Sequence, residues 1–309
     1  MDPHYAVKMY DADGNCRTEE VCFYFRYVKE LYTPYVYFEC EFTSSSVEIA
    51  DFNRIEFYIY GKLMHRGIVD SIDIRCSSGR YKVYVKSKGF TSLLCQNQPA
   101  PGMMTNVDLN GIISTFPDIP YITCENSNVE NYIYIKDGST VWDAVCNLAF
   151  RQTGLYPYIE GTNNVRIKKR SPVREFYLDS KAVLETGVRH DFTKVISHIH
   201  MQDIEGNYDV YSKENQAATD RNIFRHKQVP LDRQFLSNPE SALDYKLNFS
   251  MRGIVCHYIK YVGYSFEDLL DYITCGDFSM KRIHSIDVTF SGGRAVTQLG
   301  FYDDGFYSA

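Results

Sequence analysis

The sequence has no long apolar stretch and only one tryptophan among its 309 residues. No segment approaches the ~18 consecutive apolar residues that a membrane helix needs, so we expect no membrane insertion. Residues 1–4 are not followed by the basic and apolar segments of a secretion signal. An excess of positive charge is also missing: the 33 lysines and arginines are outnumbered by 39 aspartates and glutamates, which gives a formal net charge of −6. That balance disfavours a general nucleic-acid-binding protein, which needs a basic face to neutralise phosphates.

Paired cysteines of the kind that form disulfide frameworks or zinc sites are missing as well. The nine cysteines are an odd number, and no two have C-x-x-C spacing. Most lie in apolar surroundings, such as those of Cys22 and Cys146. We therefore predict reduced, buried thiols in a protein assembled in a reducing cytoplasm.

Signatures of catalysis are absent. The sequence has no G-x-S-x-G elbow, no phosphate-binding P-loop and no G-x-G-x-x-G turn. Residues 11–15 resemble the start of a calcium loop, but Cys22 occupies the twelfth position, where a bidentate glutamate is needed. A hairpin turn is the better interpretation. We predict that the protein is not an enzyme and has no catalytic, cofactor-binding or metal-binding residues.

His198 and His200 are the one histidine pair with ligand-like spacing. On a strand, alternate side chains share a face, so both imidazoles could approach one metal ion. The alternative is two polar side chains on a solvent or interface face. Because the sequence identifies no third ligand, we favour the second interpretation.

The densest basic stretch is Arg166–Arg174, which also contains Lys168, Lys169 and Arg170. It could face an acidic partner or passing nucleic acid. A solvated strand end leading into a linker at Ser171-Pro172 is the interpretation that we favour, since the chain has no excess of positive charge around it.

Aromatic residues are abundant, with 26 tyrosines and 19 phenylalanines. Tyrosine suits half-buried strand faces and interfaces. The pattern of short alternating segments predicts an α+β fold that is mainly β. We expect two related barrel-like β domains, at 1–97 and 175–309, with helical insertions in the second. Between them we expect an α/β domain at 98–174.

Two helix starts are predicted from their capping residues. Ser139 or Thr140 caps a helix that runs to Gly154. Asn238-Pro239-Glu240 begins another, with asparagine as the cap and proline in the first turn. Apolar spacing after Ser265 predicts a third, short helix, and residues 215–219 are predicted to form a loop.

Two stretches of the sequence repeat one another. Residues 71–85 read SIDIRCSSGRYKVYV, and residues 285–299 read SIDVTFSGGRAVTQL. Six positions are identical without gaps: Ser71, Ile72, Asp73, Ser77, Gly79 and Arg80 recur as Ser285, Ile286, Asp287, Ser291, Gly293 and Arg294. Turn chemistry alone also favours Ser and Gly in hairpins, so chance and duplication both stay open. A true duplication would mean two related β domains.

The order of three further stretches carries a family resemblance. They are 60–70 with 83–94, then 137–155, and last 235–243 with 263–270 and 293–301. Together they resemble the baseplate hub proteins of contractile-tailed phages, the late-control-D group, which includes hubs of Mu-like and Gram-positive prophages. The chain departs from the family at 87–89, which is Ser-Lys-Gly where Gly-Arg-Ser is usual.

The resemblance implies a structural subunit and not a catalyst. Such hubs are homotrimers in which each chain supplies two similar β-barrels, so that three chains present six barrels in a pseudo-sixfold ring. A sixfold tail tube protein stacks on one side and a threefold central spike protein attaches to the other. Further implied partners are a tape measure protein and a LysM-type adapter, with DNA only in transit through the channel. The implied location is the tail or baseplate of a virion or tailocin, assembled in the bacterial cytoplasm.

The duplicated stretch fits this implication, because a threefold assembly can meet a sixfold one if each chain carries the same unit twice. Three alternatives stay open. One is a tail-associated cell-wall hydrolase, although no acid/base or metal constellation is evident. The second is a component similar to type VI secretion spikes, although residues 1–309 show no long β-helical needle. The third is a carbohydrate- or partner-binding β protein.

Overall fold

The computed structural model describes residues 4–21, 23–44, 51–77, 79–178, 183–231, 238–276 and 278–302. Its strands are β1 Tyr5–Tyr10, β2 Cys16–Glu20, β3 Tyr24–Glu30, β4 Tyr37–Ser44, β5 Arg54–Ile59, β6 Lys62–Ser77, β7 Arg80–Gly89, β8 Gly102–Val107, β9 Thr123–Cys124, β10 Glu130–Ile135, β11 Tyr158–Glu160, β12 Asn164–Arg166, β13 Glu175–Tyr177, β14 Val183–His190, β15 His198–Met201, β16 Tyr211–Glu214, β17 His226–Val229, β18 Val255–Val262, β19 Tyr272–Cys275, β20 Phe278–Arg282, β21 Ser285–Ser291 and β22 Arg294–Tyr302. The helices are α1 Leu109–Ile113, α2 Val141–Thr153, α3 Gln216–Thr219 and α4 Pro239–Met251, with a 3₁₀ helix at Phe90–Cys95.

The fold is mainly β, as the sequence predicts. The chain forms two compact units, which we call the first unit (1–186 with 259–301) and the second unit (187–258 with 302–309). The three sequence-predicted domains, 1–97, 98–174 and 175–309, have other boundaries and stay a prediction. None of the helices in the described ranges has the length and apolarity needed to span a membrane.

Most of an eleven-stranded sheet belongs to the first unit, and its strands β14, β18 and β22 run past the boundary of that unit. Its order is β14-β18-β22-β21-β3-β4-β7-β6-β5-β1-β2. Alternate residues of the strands are buried, because successive side chains of a strand point to opposite faces. The buried side chains include Phe25, Tyr27, Phe38, Phe57 and Val288. The hairpin turn predicted at 11–15 joins β1 to β2, and the Asn15 N–H donates to Asp11 Oδ1 at 2.8 Å.

The segment predicted to be α/β lies in the chain between β7 and β14 of the sheet. Strands β8 and β10 pair antiparallel, and β11 and β12 form the hairpin expected around residues 161–164. Thr140 is the N-cap of α2: its side chain accepts from the Asp143 N–H, and the Asp143 carboxylate accepts from the Thr140 N–H in return. Gly154 ends the helix in the left-handed conformation that glycine adopts without strain.

The second unit has its own small core. Strand β15 lies between β16 and β17, and α4 packs against them through Ala242, Leu243 and Leu247. The predicted start of α4 is confirmed, because Asn238 Oδ1 accepts from the Ser241 N–H and Pro239 opens the first turn.

Two local predictions are wrong. No helix follows Ser265: residues 264–271 have no helical structure, and Tyr272–Cys275 is strand β19. Phe266 and Leu270 have φ angles of 63° and 65°, which a right-handed helix excludes. The loop expected at 215–219 contains the one-turn helix α3 instead.

The two repeated stretches form hairpins with the same register. When Ser71 is aligned on Ser285, every cross-strand pair of β21–β22 coincides with a pair of β6–β7: Ile72 with Val85 becomes Ile286 with Leu299, and so on to the turn. The sequence predicts separate domains for these hairpins, and that division stays a prediction. In the structure both hairpins belong to the same sheet, connected through the pairing of β21 with β3.

Candidate functional site

The histidine pair lies on β15, as its spacing suggests, and the structure brings a third histidine beside it. His226 of β17 stacks on His198 with ring centroids 4.2 Å apart and planes within 6°. It also stacks on His200 at 6.0 Å. Parallel stacking keeps the ring nitrogens from converging on one point. Within the ranges that the structure describes, no group of three or more His, Cys, Asp or Glu side chains could hold a metal ion.

His226 could not be found from the sequence, because it follows β15 by more than twenty residues and reaches it through parallel strand pairing. The pair itself makes ordinary polar contacts. His198 Nδ1 lies 2.9 Å from Ser197 Oγ, and its Nε2 lies 3.9 Å from the Glu214 carboxylate. These contacts fit the polar-face interpretation of the pair.

In the basic stretch 166–174, the three arginines are ion-paired, whereas Lys168 and Lys169 are exposed. Arg166 donates to Glu160 at 2.8 Å and lies 3.0 Å from Glu125. Arg170 and Arg174 both contact Asp271, at 3.2 and 2.5 Å. The favoured solvated interpretation is therefore wrong for the three arginines, whose charges are paired with carboxylates of the first unit. Sequence spacing gives no sign of this, because the carboxylates come from distant segments.

Lys29 of β3 joins this ionic cluster from the sheet. Its side chain is 2% exposed; it pairs with Asp268 and donates to the Gly161 carbonyl oxygen at 2.8 Å. Asp268 also accepts from the Gly161 N–H at 2.9 Å. Burial by itself raises the pKa of Asp268, but Lys29 and the N–H donor hold that pKa below its usual value. The cluster thereby fastens the β11–β12 hairpin and the 264–271 segment to the sheet.

A cavity of about 220 Å³ lies beside the cluster in the first unit, and its lining includes Tyr27, Lys62, Phe266 and Glu267. Burial raises the pKa of Glu267 to about 7. Its carboxylate accepts from the Tyr261 hydroxyl and from the Ser265 N–H at 3.1 Å. Both oxygens are thus engaged by protein donors, which favours a structural role over acid catalysis.

Tyrosines on the polar face of the sheet are organised around carboxylates. The hydroxyls of Tyr24, Tyr37 and Tyr84, on three strands, all donate to Glu39 at 2.5–2.6 Å. Burial raises the pKa of Glu39, and the three phenols more than reverse this, so that the pKa lies below its usual value. The same burial and the Glu39 hydrogen bond raise the pKa of Tyr84 to about 12.

A second carboxylate on this face has the same arrangement. Glu56 of β5 accepts from the hydroxyls of Tyr10 at 3.1 Å and Tyr58 at 2.6 Å, and from Arg66 at 2.7 Å. Part of the tyrosine content therefore serves hydrogen bonding across strands within the chain. The rings of these tyrosines stay half-buried.

The described cysteines show both burial and exposure. All eight of them, which excludes Cys22, are free thiols. Cys40 is fully buried, and burial raises its pKa well above the usual range. Cys16 and Cys76, in contrast to the expected burial, are exposed. Cys22 lies outside the described residues.

Comparison with known proteins places this fold among tail proteins of phages and prophages. A tail protein from Neisseria meningitidis MC58 superposes with a TM-score of 0.68 at 17% identity, over 98% of each chain. The 43 kDa tail protein of prophage MuSo2 from Shewanella oneidensis gives 0.71 at 12% identity, over 96% of this chain and 97% of that one. No protein-family model matches the chain, and no curated protein matches it in sequence.

A more distant likeness is to secretion proteins. An E. coli component of the type VI secretion system, described as similar to the T4 bacteriophage tail proteins gp27 and gp5, gives a TM-score of 0.57 at 10% identity. It covers 93% of this chain and 75% of that one. The chain therefore has the fold that phage tail proteins and a type VI secretion component share.

Proposed function

We propose that the chain is a structural subunit of the hub at the base of a phage tail or related injection particle, without catalytic turnover. The observation that carries this proposal is the likeness, over nearly the full length, to tail proteins of two different bacteria. Fold likeness alone does not fix function. The half-buried tyrosine face and the internally paired carboxylates support assembly rather than chemistry.

In this proposal the protein is a homotrimer that adapts a sixfold tail tube to a threefold central spike. The repeated hairpin supports it, because two hairpins of identical register give each chain the same local unit twice. Three chains would then offer six similar surfaces to a tube. The tape measure protein and a LysM-type adapter are further proposed partners, and DNA would only pass through the channel. The proposed location is the tail or baseplate, assembled in the bacterial cytoplasm.

The test uses the two equivalent hairpin turns. Arg80 and Arg294 begin β7 and β22, and both are exposed. Replacing both by glutamate should block tube stacking, because a reversed charge sets like or unpaired charges against the partner at each contact. The readout is complementation of a deletion, with tails counted by electron microscopy. Lys194→Glu, an exposed charge reversal in the second unit, is the control. Normal tails in the deletion strain would rule out the hub role.

A tail-associated cell-wall hydrolase is the second candidate, and one observation favours it. Glu267, whose pKa is raised to about 7 by burial, lines the cavity in the first unit, and a carboxylic acid of that pKa suits general acid catalysis, although its hydrogen bonds to Tyr261 and Ser265 engage both oxygens and favour the structural role. The purified chain and its Glu267→Gln variant should both leave peptidoglycan intact under the hub proposal. Cleavage that the variant loses would establish the hydrolase instead.

A further inference from the structure

The two repeated hairpins differ in what covers their outer edge. Strand β3 pairs along the whole of β21, from Ser285 to Ser291. The corresponding part of β6 begins after the irregularity between Val69 and Ser71, beyond which β5 no longer pairs with it. Among the described residues, β7 is the sole strand partner of Ser71–Ser77. Within the described ranges, one copy of the repeat is therefore covered along its outer edge by a strand, and the other copy has no such strand beyond the Val69 N–H that donates to the Asn53 carbonyl oxygen.

Burial follows the same difference. Ile286 and Val288 are 0% exposed beneath β3. Their counterparts Ile72 and Ile74 are only half-buried, and Cys76 is exposed. An open edge that carries apolar side chains is a template for another strand.

The opposite end of the sheet offers a strand for this edge. Strand β14 is terminal and has only β18 as a neighbour in the described sheet. Its Leu184 and Val188 are 53% and 49% exposed. The Asp191 N–H donates to the Ile254 carbonyl oxygen at 2.9 Å. Because backbone groups alternate in direction along a strand, those of Thr186 and Val188 point away from β18.

Strand β14 corresponds to β3 in the repeat. Ser44 of β4 pairs with Tyr81 of β7, and in the second hairpin Gly263, directly after β18, donates to the oxygen of Ala295, the counterpart of Tyr81. Strand β18 therefore has the same position beside β22 that β4 has beside β7. The outer neighbour of β4 is β3, and the outer neighbour of β18 is β14.

We propose that β14 of one copy of the chain pairs antiparallel with Ser71–Ser77 of β6 in a second copy, as β3 pairs with β21 within one chain. The inference rests on the homo-oligomer of the proposed function and names its contact surface. The contact joins two different edges, so it is heterologous. Repeating it gives a closed assembly only when the copies form a ring. Every junction around that ring, within a chain or between chains, would then have the same geometry.

The pairing of β3 with β21 within one chain fixes the register of the proposed pairing of β14 with β6 between two copies. The hydrogen bond from the Asp191 N–H to the Ile254 oxygen sets the alignment of β14 with β18. In this alignment Val188 takes the position on β14 that Tyr27 has on β3. Tyr27 pairs with Val288, and Val288 is the counterpart of Ile74. Val188 is therefore placed opposite Ile74 of the second copy, which buries two apolar side chains that a single copy exposes.

The next position adds charge complementarity. Arg189 falls opposite Asp73 of the second copy in the same alignment. The counterpart of Asp73 is Asp287, which already makes a 2.7 Å ion pair with Arg26 of β3. Within one chain Asp73 accepts instead from Arg75 on its own strand, at 2.5 Å. An arginine of the neighbouring strand thus lies within reach of the repeated aspartate at both junctions, Arg26 diagonally within one chain and Arg189 directly opposite between copies.

A charge exchange tests this register. Asp73→Arg and Arg189→Asp should each abolish the oligomer in native mass spectrometry, because like charges would then lie opposite one another. The double variant should recover it. Asp13→Arg, the same charge change on the exposed β1–β2 turn, is the control and should assemble normally.

Cross-linking tests the same geometry without charge. Thr186 falls opposite Cys76, and paired positions in an antiparallel ladder lie within the Cα separation that a disulfide allows. Thr186→Cys under mild oxidation should give covalent oligomers, whereas Arg189→Cys, on the other face of β14, should not. The strand pairing would be overturned if tails and oligomers still formed in both single charge variants and Thr186→Cys gave no cross-link. The hub proposal would stand in that case. A chain that is monomeric at every concentration would overturn both.

Discussion

At the scale of single residues, the ion pair of Lys29 and Asp268 is a buried contact of the first unit, with side chains 2% and 13% exposed. Removing one partner of a buried pair leaves an uncompensated charge in a medium of low dielectric, whereas exposed pairs are screened by water. Sequence could not predict this pair, because the two residues come from segments more than two hundred positions apart.

Lys29→Met should therefore lower the free energy of unfolding by up to about 3–5 kcal/mol, since Asp268 would lose its nearest cation and keep only Arg170, at 3.7 Å. Lys82→Met is the matched control. It removes a 3.1 Å pair with Glu41 whose two side chains are 54% and 31% exposed, and it should cost about 1 kcal/mol or less. Urea denaturation at neutral pH measures both. Equal losses in the two variants would contradict the assignment.

Two buried groups should give opposite pH dependences. His65 stacks on Phe38 at 5.3 Å, and its Nε2 lies 2.8 Å from Ser87 Oγ. Burial lowers its pKa from 6.5 to about 3. Below pH 6.5 the unfolded chain binds a proton that the folded chain excludes, so this contribution to stability is lost as pH falls from 6.5 towards 3.

The pH dependence of stability that Glu267 contributes has the opposite sign. Its pKa is raised from 4.5 to about 7 by burial, so its contribution is fully present below pH 4.5 and is lost as pH rises through 7. Between pH 4.5 and 6.5, a rise in pH increases the contribution of His65 to stability and decreases that of Glu267. His65→Gln should flatten the loss of stability in acid, and Glu267→Gln should flatten the loss above pH 5. Denaturant midpoints at half-unit pH steps measure this, and parallel curves for all three proteins would contradict it.

At the scale of elements, the sequence predicts helices well where a cap and an apolar stripe coincide, as at Thr140 and Asn238. It fails at 264–271. There the apolar spacing fits a helix, but Asp268 and Asp271 are drawn into the ionic cluster, and the backbone takes left-handed angles at Phe266 and Leu270. Long-range ion pairing outweighs the local pattern at this point.

The α2 cap gives a prediction at this scale. Thr140→Ala should destabilise the protein by about 1 kcal/mol, because it removes the acceptor of the Asp143 N–H at the start of the helix. Ser139→Ala is the matched control: Ser139 is the neighbouring residue, and α2 is capped by Thr140, so this change should have little effect. Thermal and urea unfolding of the two variants decide which hydroxyl caps the helix.

At the scale of the whole molecule, the repeated hairpin was readable from six identical positions, whereas its place in the sheet was not. Sequence identity indicates that two segments form the same local structure, and the shared register agrees with that. It does not indicate which strands cover each copy. That is decided by β3 and β14, which share no matched residues of this kind and are recognised as counterparts only by their neighbours.

If the chain assembles as proposed, its thermal stability should depend on concentration. Association stabilises the folded state by mass action. For a trimer that unfolds with dissociation, a hundredfold increase in concentration adds about 1.8 kcal/mol per chain, or roughly 3–5 °C in Tm for a chain of this size. Differential scanning fluorimetry over that range measures the shift.

Asp73→Arg serves as the internal comparison. It changes an exposed side chain and should therefore leave the Tm at the lowest concentration close to that of the parent chain, while removing the rise with concentration. A parent protein whose Tm is constant over the whole range would mean that folding and association are not coupled. A variant whose Tm rises as the parent's does would place the interface elsewhere than the edge of β6, because the rise with concentration disappears only in a variant that no longer associates.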